Sequence, residues 1–184
     1  MDKALAKYPA KLLTENLTAI HFAKKLRFYG LSYGGTNSLD TVYIANRGVR
    51  AGFTDRFLEA AFHHEFSSIL LRNFSDEFDY LAWTGANRAG FSYHSDGTEA
   101  VRSGRSDTKF RPEFHAQGFL NEYATASIEE DFNTFAEAIF LGERKFWKAV
   151  DLWPRVHTKA MIVIQFYRHL NSDLTEEYFR SLSR

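Results

Sequence analysis

The sequence predicts an α+β fold, a small N-terminal sheet followed by a helical C-terminal half. Three observations predict it. Alternating and β-branched runs fall within the first 45 of the 184 residues. From residue 54 onward, apolar residues recur at three- and four-residue steps, the period of a buried helix face. Strands and helices are segregated along the chain, which favours α+β over alternating βα units. The length and the eighteen Phe, nine Tyr and three Trp suit one domain spanning 1–184 with a sizeable core.

In chain order, residues 2–16 read as a short helix with Pro9 near its start, a position that proline tolerates. Residues 17–29 alternate loosely at Ile20, Phe22, Leu26 and Phe28 and read as a strand, and 30–38 are turn-rich. Thr41–Ala45 is a short β-branched and aromatic strand, followed by a loop over 46–52. A long helix is predicted over 54–74. Thr54 and Asp55 are starting residues, and Phe57, Leu58, Ala61, Phe62, Phe66, Ile69 and Leu70 supply the apolar period. Residues 76–83 suit one or two helical turns. Residues 84–118 hold five glycines and little apolar content, and a stretch of that length in a compact domain is functional or mobile. Order returns at 119–124. Ser127 followed by Glu130 is a capping-box signature opening a helix over 128–140, its pattern running on toward Val150. Pro154 breaks the chain, 157–171 is a strongly apolar helix, and 175–182 is a final amphipathic turn or two.

Lys+Arg and Asp+Glu both number 23, and no basic block stands out, so nucleic acid is not expected as a partner. Without cysteine, disulfides and thiolate-bound zinc are excluded. No apolar run reaches transmembrane length. The first residues lack the apolar core of a signal peptide. The chain is expected either in the cytoplasm or outside it after removal of an export signal.

One constellation points to chemistry. His63, His64 and Glu65 interrupt the apolar period of the 54–74 helix, and such groups need partners or a metal. His64-Glu65-Phe66-Ser67-Ser68 is H-E-x-x-H with Ser68 in the place of the second histidine. In the full motif two imidazoles at i and i+4 hold zinc while the glutamate activates the bound water. His63 cannot replace the missing imidazole, because neighbouring helical residues point about 100° apart. The structural reading is a core histidine hydrogen-bonded to a carboxylate. In the second helix, Glu137 is embedded among Phe135, Ala136, Ala138 and Ile139, and Glu130 lies seven residues earlier on the same face.

HHEFSSIL, followed by GFLNEYATASIEEDFNTFAEAIF, resembles the zinc-binding metallopeptidases of bacterial lipoproteins, themselves similar to gluzincins such as anthrax lethal factor. Those have HHEFxHIL on one helix, a GF-x-x-x-YA segment, and an E-D-F-A-E or F-A-E-A-F helix that supplies a glutamate ligand. The resemblance extends over roughly 8–170 and includes Tyr33-Gly34-Gly35-Thr36. It implies a zincin-like domain, a zinc cofactor, a peptide or protein substrate and an extracytoplasmic setting. It implies His64 and Glu137 as zinc ligands, Glu65 as general base and Tyr123 as the phenol that stabilises the oxyanion. EDFNTFAE is three residues longer than EDFAE, so Glu130 or Asp131 is the alternative acidic ligand. His94 and His115 in the long loop are the first substitutes for the ligand lost at Ser68. A serine hydroxyl binds zinc poorly at neutral pH, and the lost ligand weakens binding by about a hundredfold. Two functions follow: an active zinc peptidase, or a catalytically inactive binding module on the same fold.

Overall fold

The computed structural model describes residues 1–94 and 97–183. The chain forms two compact units, Met1–Ser75 and Asp76–Arg184.

In the first unit, two short helices, α1 (Asp2–Leu5) and α2 (Ala10–Asn16), replace the single helix expected over 2–16. Pro9, fixed near φ −56° and lacking an N–H, divides them and caps the second. The strand expected over 17–29 is two strands, β1 (Ala19–Ala23) and β2 (Leu26–Phe28), separated at Lys24-Lys25. The turn-rich 30–38 also holds β3 (Leu31–Tyr33) and β4 (Gly35–Asn37), and β5 (Thr41–Ala45) follows as expected. Strands of three residues are too short to show an alternation, so only their turn residues were visible in the sequence. β2 and β3 form an antiparallel hairpin closed by Tyr29 and Gly30, both at positive φ (50° and 81°). That conformation at two successive residues gives the type I′ turn that matches strand twist. The other sheet has the order β1-β5-β4, with β5 parallel to β1 and antiparallel to β4.

α3 (Asp55–Asn73) packs on β4, β5, α1 and α2. Thr54 caps it by accepting from the Phe57 amide at 3.2 Å, a contact worth about 1 kcal/mol. Its core-facing rings, Phe62 and Phe66, meet Tyr8 edge-on with centroids 6.0 and 5.1 Å away.

The second unit is helical. α4 (Tyr80–Gly85) begins at the Asp79 cap, whose carboxylate accepts from the Ala82 amide at 2.8 Å. The expected loop 84–118 contains α5 (Gly97–Arg102) and α6 (Pro112–His115), and its Ser95 and Asp96 lie outside the described residues. Local polar contacts hold residues 107–111, with Asp107 binding both the Lys109 amide and the Arg111 guanidinium. α7 (Ile128–Leu141) stops at Gly142, which is left-handed, so the pattern running toward Val150 is a separate helix, α8 (Arg144–Leu152). Pro154 starts a helix rather than breaking one. It occupies the first turn of α9 (Pro154–Leu170), where its missing N–H costs nothing. α10 (Glu176–Ser181) closes the chain. α7 and α9 pack together through Phe132, Phe166 and Tyr167, joined by Trp83, Phe135 and Phe140, all fully buried. Each such side chain contributes roughly 1.5–3 kcal/mol by leaving water. Among the described residues no helix is long and apolar enough to cross a membrane.

Candidate functional site

The three polar residues of α3 have separate fates. His63 is fully buried. The Tyr8 hydroxyl and its Nδ1 share a hydrogen bond of 3.0 Å, and its Nε2 faces Glu59 Oε1 at 3.7 Å. Glu59 in turn takes the Lys7 ammonium at 2.5 Å. Burial holds the His63 imidazole down at about 4 against the opposing pull of Glu59. Glu59 is held down at about 2, first by its contact with His63 and then by Lys7. His63 is therefore a neutral core histidine beside a carboxylate, and it belongs to the packing of the α1–α2 turn on α3.

His64 and Glu65, one and two positions on, are partly exposed. Ser67 Oγ donates to the His64 carbonyl at 2.7 Å. Glu65 points at β4. Asn37 Nδ2 donates to Glu65 Oε2 at 2.8 Å, while Asn37 Oδ1 accepts from Arg72 Nη2 at 2.7 Å. Those two contacts fix which way the Asn37 amide points, and through it they orient the carboxylate. β4 must approach closely for this: a Cβ on Gly35 would come within 2.6 Å of Glu65 Oε1. Neither Asn37 nor Arg72 was singled out in the sequence, since Asn37 sits in the stretch read as turn. Ser68, in the place of the second zinc-binding histidine, is 3 % exposed.

In the second unit, Tyr123 and Glu130 come together. A Cβ on Gly97 would lie 2.0 Å from Glu130 Oε1 and 2.7 Å from Tyr123 Oη, so the two oxygens converge on the start of α5. α7 is positioned for this by its cap, Ser127 Oγ accepting from the Glu130 amide at 3.1 Å. Glu137 is partly exposed two helical turns further along α7, about 10 Å away along its axis. Asp131 is fully buried and engaged: Lys159 Nζ lies 2.5 Å and the Tyr93 hydroxyl 2.6 Å from its Oδ2. The Trp83 indole donates to that same Tyr93 oxygen at 3.0 Å. Burial drives the Asp131 carboxyl up and the Lys159 ammonium down, and their mutual attraction opposes both shifts. Lys159 also faces the rings of Phe119 and Trp83 at 4.0 and 4.8 Å. The signal for Lys159 in the sequence was a lysine next to the apolar run Ala160–Ile164.

The other histidines are dispersed. His115 is buried with its ring edge-on to Phe110 and Trp153, and burial lowers its pKa. His94 is exposed beside Phe91. His21 stacks on Tyr43, and His169 faces Glu77 at 3.2 Å. Among the described residues, no three His, Cys, Asp or Glu side chains gather as a group that could hold a metal. Catalytic zinc takes three protein ligands and a water. Of the residues named as possible ligands, His64 and Ser68 lie in the first unit and Glu130 and Glu137 in the second.

Comparison with protein-family models, curated proteins and solved structures gave no match.

Proposed function

We propose that the chain is a zinc-dependent peptidase of the gluzincin type, on a zincin-like fold, with His64 as a metal ligand and Glu65 as its general base. The observation that carries this reading is a repeated division of labour. On α3 and on α7 alike, one polar residue is buried and serves the core, His63 and Asp131. Its neighbour is partly exposed beside a second reactive group, His64 with Glu65 and Glu130 with Tyr123. Of the two acids on α7, Glu130 meets Tyr123 at the start of α5. Zinc, when bound, lowers the pKa of a water so that it can attack a peptide carbonyl. Glu65, oriented by Asn37, takes the proton of the attacking water.

A second reading, a binding module without hydrolytic activity, is favoured by Ser68, which offers a buried hydroxyl where the resembling family has an imidazole. Calorimetric zinc titration with peptide hydrolysis separates the two. The expected affinity is about −8 kcal/mol, which is micromolar. His64→Ala should weaken zinc binding. Glu65→Gln should keep zinc and lose hydrolysis by about a hundredfold or more. Absence of zinc binding at millimolar metal would sink the peptidase reading and leave the binding module.

A further inference from the structure

In the N-terminal unit, a cavity of about 150 Å³ is rimmed by Lys24, Lys25, Arg27 and Arg47, with Tyr33 and Phe53 also lining it. The fold assembles this rim from separate segments. Lys24 and Lys25 form the link between β1 and β2, Arg27 lies in β2 opposite Ser32, and Arg47 follows β5. Between residues 22 and 50 the only acid is Asp40, and the hydroxyls of Thr18 and Thr41 already bind its carboxylate at 2.7 and 2.9 Å. Among the described residues none of the four cations makes an ion pair. The Arg27 guanidinium donates weakly to the Gly30 carbonyl, and that of Arg47 stands 4.9 Å above the Phe53 ring. Both retain further N–H donors, since a guanidinium carries five. The Tyr33 hydroxyl is buried and has no hydrogen-bond partner among the described residues.

Four like charges around one small cavity repel each other, and an unsatisfied buried hydroxyl costs stability. A single ligand relieves both. We propose that this cavity binds a phosphate-class anion, held by the two lysines and two arginines and by a hydrogen bond from Tyr33. A tetrahedral group with charge near −2 balances the rim better than a carboxylate does, and arginine forks match its oxygens in pairs. The cavity holds the phosphoryl group itself, and whatever carries that group lies outside. Because the cations are exposed, binding must weaken as salt rises. The proposal does not depend on the peptidase reading, and none of its residues enters the roles given above.

The test uses the full chain with two probes at fixed ionic strength: inorganic phosphate, and phosphatidylcholine vesicles with or without phosphatidic acid. Phosphate binding is read by amide chemical shifts of 24–53 and by thermal melting, vesicle binding by co-sedimentation. Lys24→Ala with Lys25→Ala, and Arg47→Ala alone, should each weaken the response about tenfold. Tyr33→Phe guards against a merely misfolded variant. It removes only an unpartnered hydroxyl, so its melting temperature should hold or rise while its binding falls about tenfold. A response to free phosphate assigns the site to a soluble phosphorylated ligand. A response only to phosphatidic acid assigns it to a lipid headgroup. No response to either probe, or a response that the variants leave unchanged, overturns the proposal.

Discussion

His63 and His64 share a helix and a side-chain type, yet one turn of 100° separates two kinds of chemistry. The sequence supplied both readings for the His-His-Glu run, a core histidine beside a carboxylate and a metal ligand. The structure assigns the first to His63. What the sequence lacked was the partner, because Tyr8 and Lys7 come from the turn between α1 and α2, some fifty residues earlier. The environment of His63 has a pH consequence. In the unfolded chain an imidazole takes a proton below about 6.5. In the folded chain, with Tyr8, Glu59 and Lys7 around it, His63 does so only at about 4. The unfolded state therefore binds more protons between these values, and stability falls as pH drops from 6.5 to 4. Glu59 has the same sign lower down, its contribution being lost as pH falls from 4.5 toward about 2. Urea unfolding of wild type should lose up to about 1.4 kcal/mol per pH unit between 6 and 4 relative to His63→Leu. Imidazole nitrogen shifts should show His63 neutral at pH 5. A His63 half-protonated near pH 6.5 would refute the buried, neutral assignment.

At the scale of elements, the two long helices expected around the site stand within a residue or so of their expected bounds, 54–74 against Asp55–Asn73 and 128–140 against Ile128–Leu141. Starting residues and apolar period were enough to mark them. Which acid of α7 matters was not legible. Glu130 and Glu137 lie two turns apart on one face, so periodicity weighs them equally, and Glu130 also read as part of a cap. The start of α5 separates them by meeting Glu130 and Tyr123 together, and nothing in a glycine-rich stretch signals that approach. Gly97→Ala should therefore disturb the Glu130–Tyr123 pair. The added methyl would overlap Glu130 Oε1, at 2.0 Å, so α5 or the carboxylate must move. The expected result is a stability loss of about 1–3 kcal/mol, measured by melting. Ser68→His probes α3. Its imidazole would share the His64 face at i+4 and should tighten zinc. Because Ser68 is 3 % exposed, the apo variant should lose about 1–3 kcal/mol to overpacking, with zinc recovering part of the loss. A stability loss without tighter zinc would make that stretch of α3 a purely structural helix.

For the molecule as a whole, the segregation of strands before helices was legible because it needs only coarse periodicity. The division of 17–38 into four short strands was not, because three-residue strands show no alternation, and Pro154 read as a break although proline suits the first turn of a helix. Distance in sequence hid the most polar feature of the second unit's core. Lys159 and Asp131 are 28 residues apart and both 0 % exposed, inside a cluster of Trp83, Phe119 and Phe132. Burying two charges costs several kcal/mol each, and the attraction within the pair returns that cost only while both partners are present. Removing one leaves the other charged, buried and unpaired. Asp131→Leu and Lys159→Met should each destabilise by about 3–5 kcal/mol in urea unfolding. The double variant fills similar volume without any charge, so it should be more stable than either single variant. Tyr93 tempers the recovery, because its hydroxyl, which donates to Asp131 at 2.6 Å, loses its acceptor whenever Asp131 is replaced. The coupling from the double-mutant cycle should be at least about 2 kcal/mol. Losses that simply add in the double variant would show that Lys159 and Asp131 are held independently, the lysine by the aromatic faces of Trp83 and Phe119 and the aspartate by Tyr93.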